Sequence, residues 1–196
     1  MIETNLEMTD KIGYLLFKKG IIDAATLEKA INAKNNDKHK LKRNLAQILV
    51  EDFNYEHDII FREVAILYAF RELDMESYEI PDERLESIKK MVEGTPDEIK
   101  DLIIRHKIIP FMYDERIKDK LIIAAIDPTE RNIPRVAFGL NAKKYEVIFI
   151  KKRDYEKIIE RIIPPENIYL QAIQEEDENF LFKSQGCWIL IQMDKK

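Results

Sequence analysis

The chain is poor in the residues that build reactive centres. It has one cysteine, Cys187, in 196 residues, so no intrachain disulfide can form and a reducing compartment is expected. Cys187 sits in an apolar run and reads as a buried structural thiol. With three histidines and no second cysteine, a zinc site of the usual kind is not expected. None of the five glycines opens a Gly-x-x-x-x-Gly-Lys-[Ser/Thr] loop, which excludes a P-loop nucleotide motor. Gly-x-Ser-x-Gly and His-Glu-x-x-His are also missing, so the chain reads as a non-enzyme. The formal net charge is -5, with both signs interspersed, which argues against nucleic acid as a partner. The start, Met1-Ile2-Glu3-Thr4-Asn5, is polar, and no apolar run is long enough to span a bilayer. The expected location is cytoplasmic, with any place at the inner membrane peripheral and reached through a partner rather than by insertion.

What is present is enough apolar residue, 45%, for a core of useful size, and a pattern that occurs twice. The first copy runs Lys11-Ile12-Gly13, Leu15-Leu16-Phe17, Gly20-Ile21-Ile22, Leu27, Ile31, Lys34. The second runs Asn44-Leu45-Ala46, Ile48-Leu49-Val50, Phe53-Asn54-Tyr55, Ile60, Val64, Leu67. Each predicts a short helix, a turn and a longer helix. Thr9 or Asp10 can cap the first helix, and Gly20 can stop it. Asp23 precedes the second helix; further helices are expected over about residues 41–50 and 56–70. Gly13 reads as a position of close helix packing.

Pro81 opens a helix carrying Leu85 and Ile88. Thr95 then reads as the cap of a further helix with Pro96 at its first position. From residue 107 the apolar period changes from 3.6 to 2. Strands are expected over residues 107–113, 120–126 and 145–150, with a helix over 133–140 between the last two and another capped by Asp154. Asp127, before Pro128, reads as a turn residue. Residues 166–196 differ: an acidic run, Glu175–Glu178, precedes Phe180-Leu181-Phe182, and Ser184-Gln185-Gly186 links that run to Trp188-Ile189-Leu190-Ile191 as in a β-hairpin. The expected class is α+β. A helical repeat module over 1–75 is followed by a three-stranded sheet domain over 76–165 and a tail over 166–196.

The repeat resembles the N-terminal domain of the type II secretion and type IV pilus assembly ATPases. So do Leu73–Pro81, Ile108-Ile109-Pro110-Phe111, Val147–Ile150 and above all the aliphatic run Leu121–Ile126 closed by Asp127-Pro128-Thr129. In part of that family each unit grips half of cyclic di-GMP. The resemblance implies contacts at Lys11, Ile12, Gly13, Gly20 and Lys34 in the first unit and at Asn44, with Arg43 one position out of register, in the second. Lys11 stands where the family has arginine and Lys34 where it has glutamine. Asn44, Ala46, Phe53 and Leu67 replace arginine, two glycines and glutamine. The pattern of losses favours a docking or regulatory module that binds a platform protein or the motor ATPase, with a homo-oligomer also compatible. Reception of cyclic di-GMP is the alternative; no other cofactor is expected.

Overall fold

The computed structural model describes residues 10–36, 43–76 and 78–163. The expected tail over 166–196 lies outside them. Four helices come first: α1 (Lys11–Lys18), α2 (Ala24–Asn36), α3 (Leu45–Glu51) and α4 (His57–Leu67). Each of the first three has a local reason to start. The Asp10 carboxylate accepts from the amides of Ile12 and Gly13, both at 3.0 Å, and Asp23 accepts from Thr26 at 2.7 Å. Asn44 and Gln47 form a reciprocal capping box on α3. α3 therefore starts at Leu45, later than expected.

The ends of the short helices show how the second repeat was rewritten. Gly20 turns the chain with φ +71°, in the left-handed region. Phe53 occupies the equivalent place in the second unit and cannot do the same. Asn54 takes φ +56° one residue later, a conformation asparagine tolerates.

The four helices close on their own core, with Leu16, Leu27, Leu45, Ile48, Leu49 and Ile60 fully buried. Gly13 sits where the two units meet. A Cβ there would lie 2.4 Å from Leu45 and 2.6 Å from Leu27. Close packing is thus what this glycine provides.

The remaining elements are β1 (Arg71–Leu73), α5 (Asp82–Glu93), α6 (Asp97–Arg105), β2 (Ile108–Tyr113), β3 (Lys120–Ala125), α7 (Ile133–Gly139), β4 (Lys144–Ile150) and α8 (Lys152–Ile162). The sheet order is β1-β4-β3-β2. β4 lies parallel to both β1 and β3, and β2 runs antiparallel to β3. The α+β class holds, but among the described residues the sheet has four strands rather than three. Arg71-Glu72-Leu73 is too short and too polar to carry a period-2 signal. It becomes a strand because α4 delivers it beside the open edge of β4, where it pairs Arg71 with Ile148 and Leu73 with Ile150. Pro110 is accommodated because β2 is the other edge, with a register break between Pro110 and Met112.

Two caps differ from expectation. The Thr95 hydroxyl donates back to the Val92 carbonyl, and Pro96 takes the N-cap position. Asp154 lies inside the first turn of α8, whose N-cap is Lys151. There it is fully buried, with Lys157 Nζ 3.3 Å from its Oδ1.

β4 joins the two cores. Ile148 and Ile150 belong to the core of the sheet domain, whereas Phe149, on the opposite face, is buried in the helical core. The helical module thus covers one face of the sheet by gripping a single aromatic. α4 packs on both β1 and β4.

Candidate functional site

The residues singled out in the sequence fall into two groups. In the first unit, Ile12 and Gly13 are buried, and Lys11 and Gly20 are exposed. The amides of Ile12 and Gly13 at the start of α1 are the kind of donors that would take an anion. Here they are already occupied by the Asp10 carboxylate. Lys34, at the far end of α2, reaches the same carboxylate, with Nζ 2.7 Å from its other oxygen. One acidic side chain therefore uses both the donors and a cation expected to face a ligand.

In the second unit, Arg43 forms a two-pronged pair with Asp52, at 2.7 and 3.0 Å, and reaches Glu51 at 2.8 Å. This ties the entry of α3 to its exit. Asn44 supplies the cap of α3 through its side-chain oxygen, 2.8 Å from the Gln47 amide. Its side-chain nitrogen points the other way and donates to the Thr129 hydroxyl at 2.9 Å.

That contact opens a network absent from the sequence reading. The Thr129 hydroxyl donates to Asp127 Oδ1 at 2.6 Å, the Thr129 amide donates to the same oxygen at 2.8 Å, and Gln47 Nε2 donates to Asp127 Oδ2 at 2.9 Å. Asp127 is a turn residue, as expected. It is also the point where the second helical unit is fastened to the C-terminal end of β3. Burial pushes its carboxyl above the ordinary aspartate range, and the hydrogen bonds from Thr129 and Gln47 only partly offset that. The Asn-x-x-Gln spacing at 44 and 47 is a legible capping box. Nothing in the sequence announces that the same two side chains reach residues 127 and 129.

A cleft of about 550 Å³ runs along this junction, lined by Ile12, Arg43, Asn44 and Tyr68 on one side and His106, Thr129, Glu130 and Arg131 on the other. It brings Ile12, Arg43 and Asn44 to one place, but Lys11, Gly13, Gly20 and Lys34 do not line it. Glu130 meets His106 Nδ1 at 3.3 Å and accepts from Asn132 at 2.9 Å. Burial opposes its ionisation, yet those partners hold its carboxyl below the usual range. Among the described residues, no cluster of three or more His, Cys, Asp or Glu could hold a metal ion, and no helix is long and apolar enough to cross a membrane.

This two-part architecture is matched by a solved structure described as MshE with cdg. The match has a TM-score of 0.52 and 20% sequence identity, and it covers 77% of this chain and 97% of that one. The chain shares the fold of that MshE structure. At this identity the match speaks for the fold. No protein-family profile matches the chain. No curated protein matches it in sequence.

Proposed function

We propose that this chain is a non-catalytic docking and regulatory module of a type II secretion or type IV pilus-like assembly system. Its partner is a platform protein or the motor ATPase. One observation carries the reading: apart from the exposed Lys11, the cations and amides that would hold an anionic ligand are engaged by carboxylates of the chain itself. Asp10 takes the amides of α1 and Lys34, while Asp52 and Glu51 take Arg43. A phosphate entering at α1 would have to displace a carboxylate from donors it already satisfies, with like charges close together. The first unit meanwhile keeps its scaffold glycines, Gly13 between the units and Gly20 at the turn, and in the second unit Asn44, where the family has arginine, serves as the cap of α3.

The second reading, a cyclic di-GMP receptor, is favoured by the likeness to the structure of MshE with cdg. Titration calorimetry with cyclic di-GMP, on the native chain and on Lys11→Ala, separates the two. The docking reading predicts no heat in either. Binding that Lys11→Ala weakens would replace it with the receptor reading. A pull-down with the cytoplasmic part of a platform protein and with the motor should recover at least one; recovery of neither would sink the docking role.

A further inference from the structure

A second groove lies on the opposite side of the sheet domain, away from the repeat. It runs between residues 75–80, the start of α5 and the last turns of α8, with a volume of about 710 Å³. Its apolar lining is Met75, Ile80, Leu85 and Ile158, and Tyr78 stands on the rim with 45% of its surface exposed. Lys157 and Arg161, one helical turn apart, form the rim on α8.

We propose that this groove seats the chain's own segment Phe180–Ile191. The described chain stops at Ile163, two residues beyond Arg161, so whatever follows α8 sets out from the mouth of the groove. The roughly 17 residues from there to Phe180 can span up to about 55 Å, far more than the groove requires. A tether of that length holds the segment at high local concentration without new contacts. The segment carries Phe180, Leu181, Phe182, Trp188, Ile189, Leu190 and Ile191, a dense apolar load that gains by leaving water. Lys157 and Arg161 are already paired, with Asp154 and Asp82, so the acidic run Glu175–Glu178 just ahead of the segment adds little to the seat. Glu76, Glu79 and Glu160 share the lining, so apolar contact supplies the affinity.

The segment contains the only cysteine and the only tryptophan of the chain, and both serve as reporters. A nitroxide on Cys187 of the full ¹⁵N-labelled chain should broaden the amides of Tyr78, Leu85 and Ile158. Diluting spin-labelled ¹⁴N chain into unlabelled ¹⁵N chain should abolish that broadening. Broadening that survives dilution assigns the groove to a second copy, and broadening elsewhere or nowhere rejects the seat; both outcomes overturn the proposal. Trp188 in the native chain should be shielded from acrylamide. Tyr78→Asp and Met75→Glu, checked for folding by circular dichroism, should raise its quenching toward that of free indole. Unchanged quenching in both folded variants would likewise overturn it.

Discussion

Asn44 offers the sharpest test of how the helical repeat is bolted to the sheet. Its side chain does two things at once: the oxygen caps α3 and the nitrogen donates to Thr129. Replacing Asn44 by alanine removes both. A lost N-cap costs about 1 kcal/mol, and a lost part-buried hydrogen bond costs about another 1 kcal/mol. The expected loss is therefore about 2 kcal/mol, or roughly 4–8 °C in Tm for a chain of this size. Asn44→Ser separates the parts. Serine caps a helix as well as asparagine does, but its hydroxyl cannot both cap and reach Thr129, so about 1 kcal/mol should return. Urea unfolding followed by far-ultraviolet circular dichroism reads both values. Alanine and serine variants of equal stability would mean that the cap contributes nothing. A cycle with Thr129→Val then isolates the cross-module bond. Strict additivity of Asn44→Ser and Thr129→Val would refute the claim that these side chains couple the modules.

Three further outcomes follow from the geometry. Gly20→Ala forces a Cβ into a left-handed turn at φ +71° and should cost about 1–2 kcal/mol, measured by urea unfolding; a neutral result would show that the turn re-forms elsewhere. Asp127 has its folded-state carboxyl raised by burial, so its contribution favours the fold below the unfolded pKa and is lost as pH rises through the folded value. The stability of Asp127→Asn relative to the native chain should accordingly be greatest at neutral pH and decline as pH falls; a flat difference would remove the burial argument. Asp10→Ser keeps a capping oxygen but removes the charge that occupies Lys34. If Asp10 is what excludes anions, cyclic di-GMP should bind this variant more tightly than the native chain in calorimetry, and equal affinity would clear Asp10 of that role.

The elements of this fold were legible wherever one residue type has one physical use. Gly20 and Gly13 mark a left-handed turn and a close crossing, and the aliphatic run 121–126 marks an internal strand. Pro81 and Pro96 mark helix starts. Thr95 and Asp154 misled because a hydroxyl or carboxylate near a helix start has several partners within reach. Only the folded backbone chooses among them: Val92 for Thr95, and burial beside Lys157 for Asp154.

What the sequence determined by itself is the repeat and, β1 apart, the order of helices and strands. Both depend on residues near one another along the chain, through periodicity, caps and turns. The tertiary structure alone decided the rest. Arg71–Leu73 became a strand because β4 offered an open edge. Phe149 became part of the helical core because strand alternation turned it away from Ile148 and Ile150. Asn44 and Gln47 acquired partners some eighty residues away in Thr129 and Asp127, and Lys34 was turned from a ligand cation into the partner of Asp10. Each of these is a contact between segments remote in sequence. Such contacts leave no local period or spacing, since their geometry exists only once the two modules have packed.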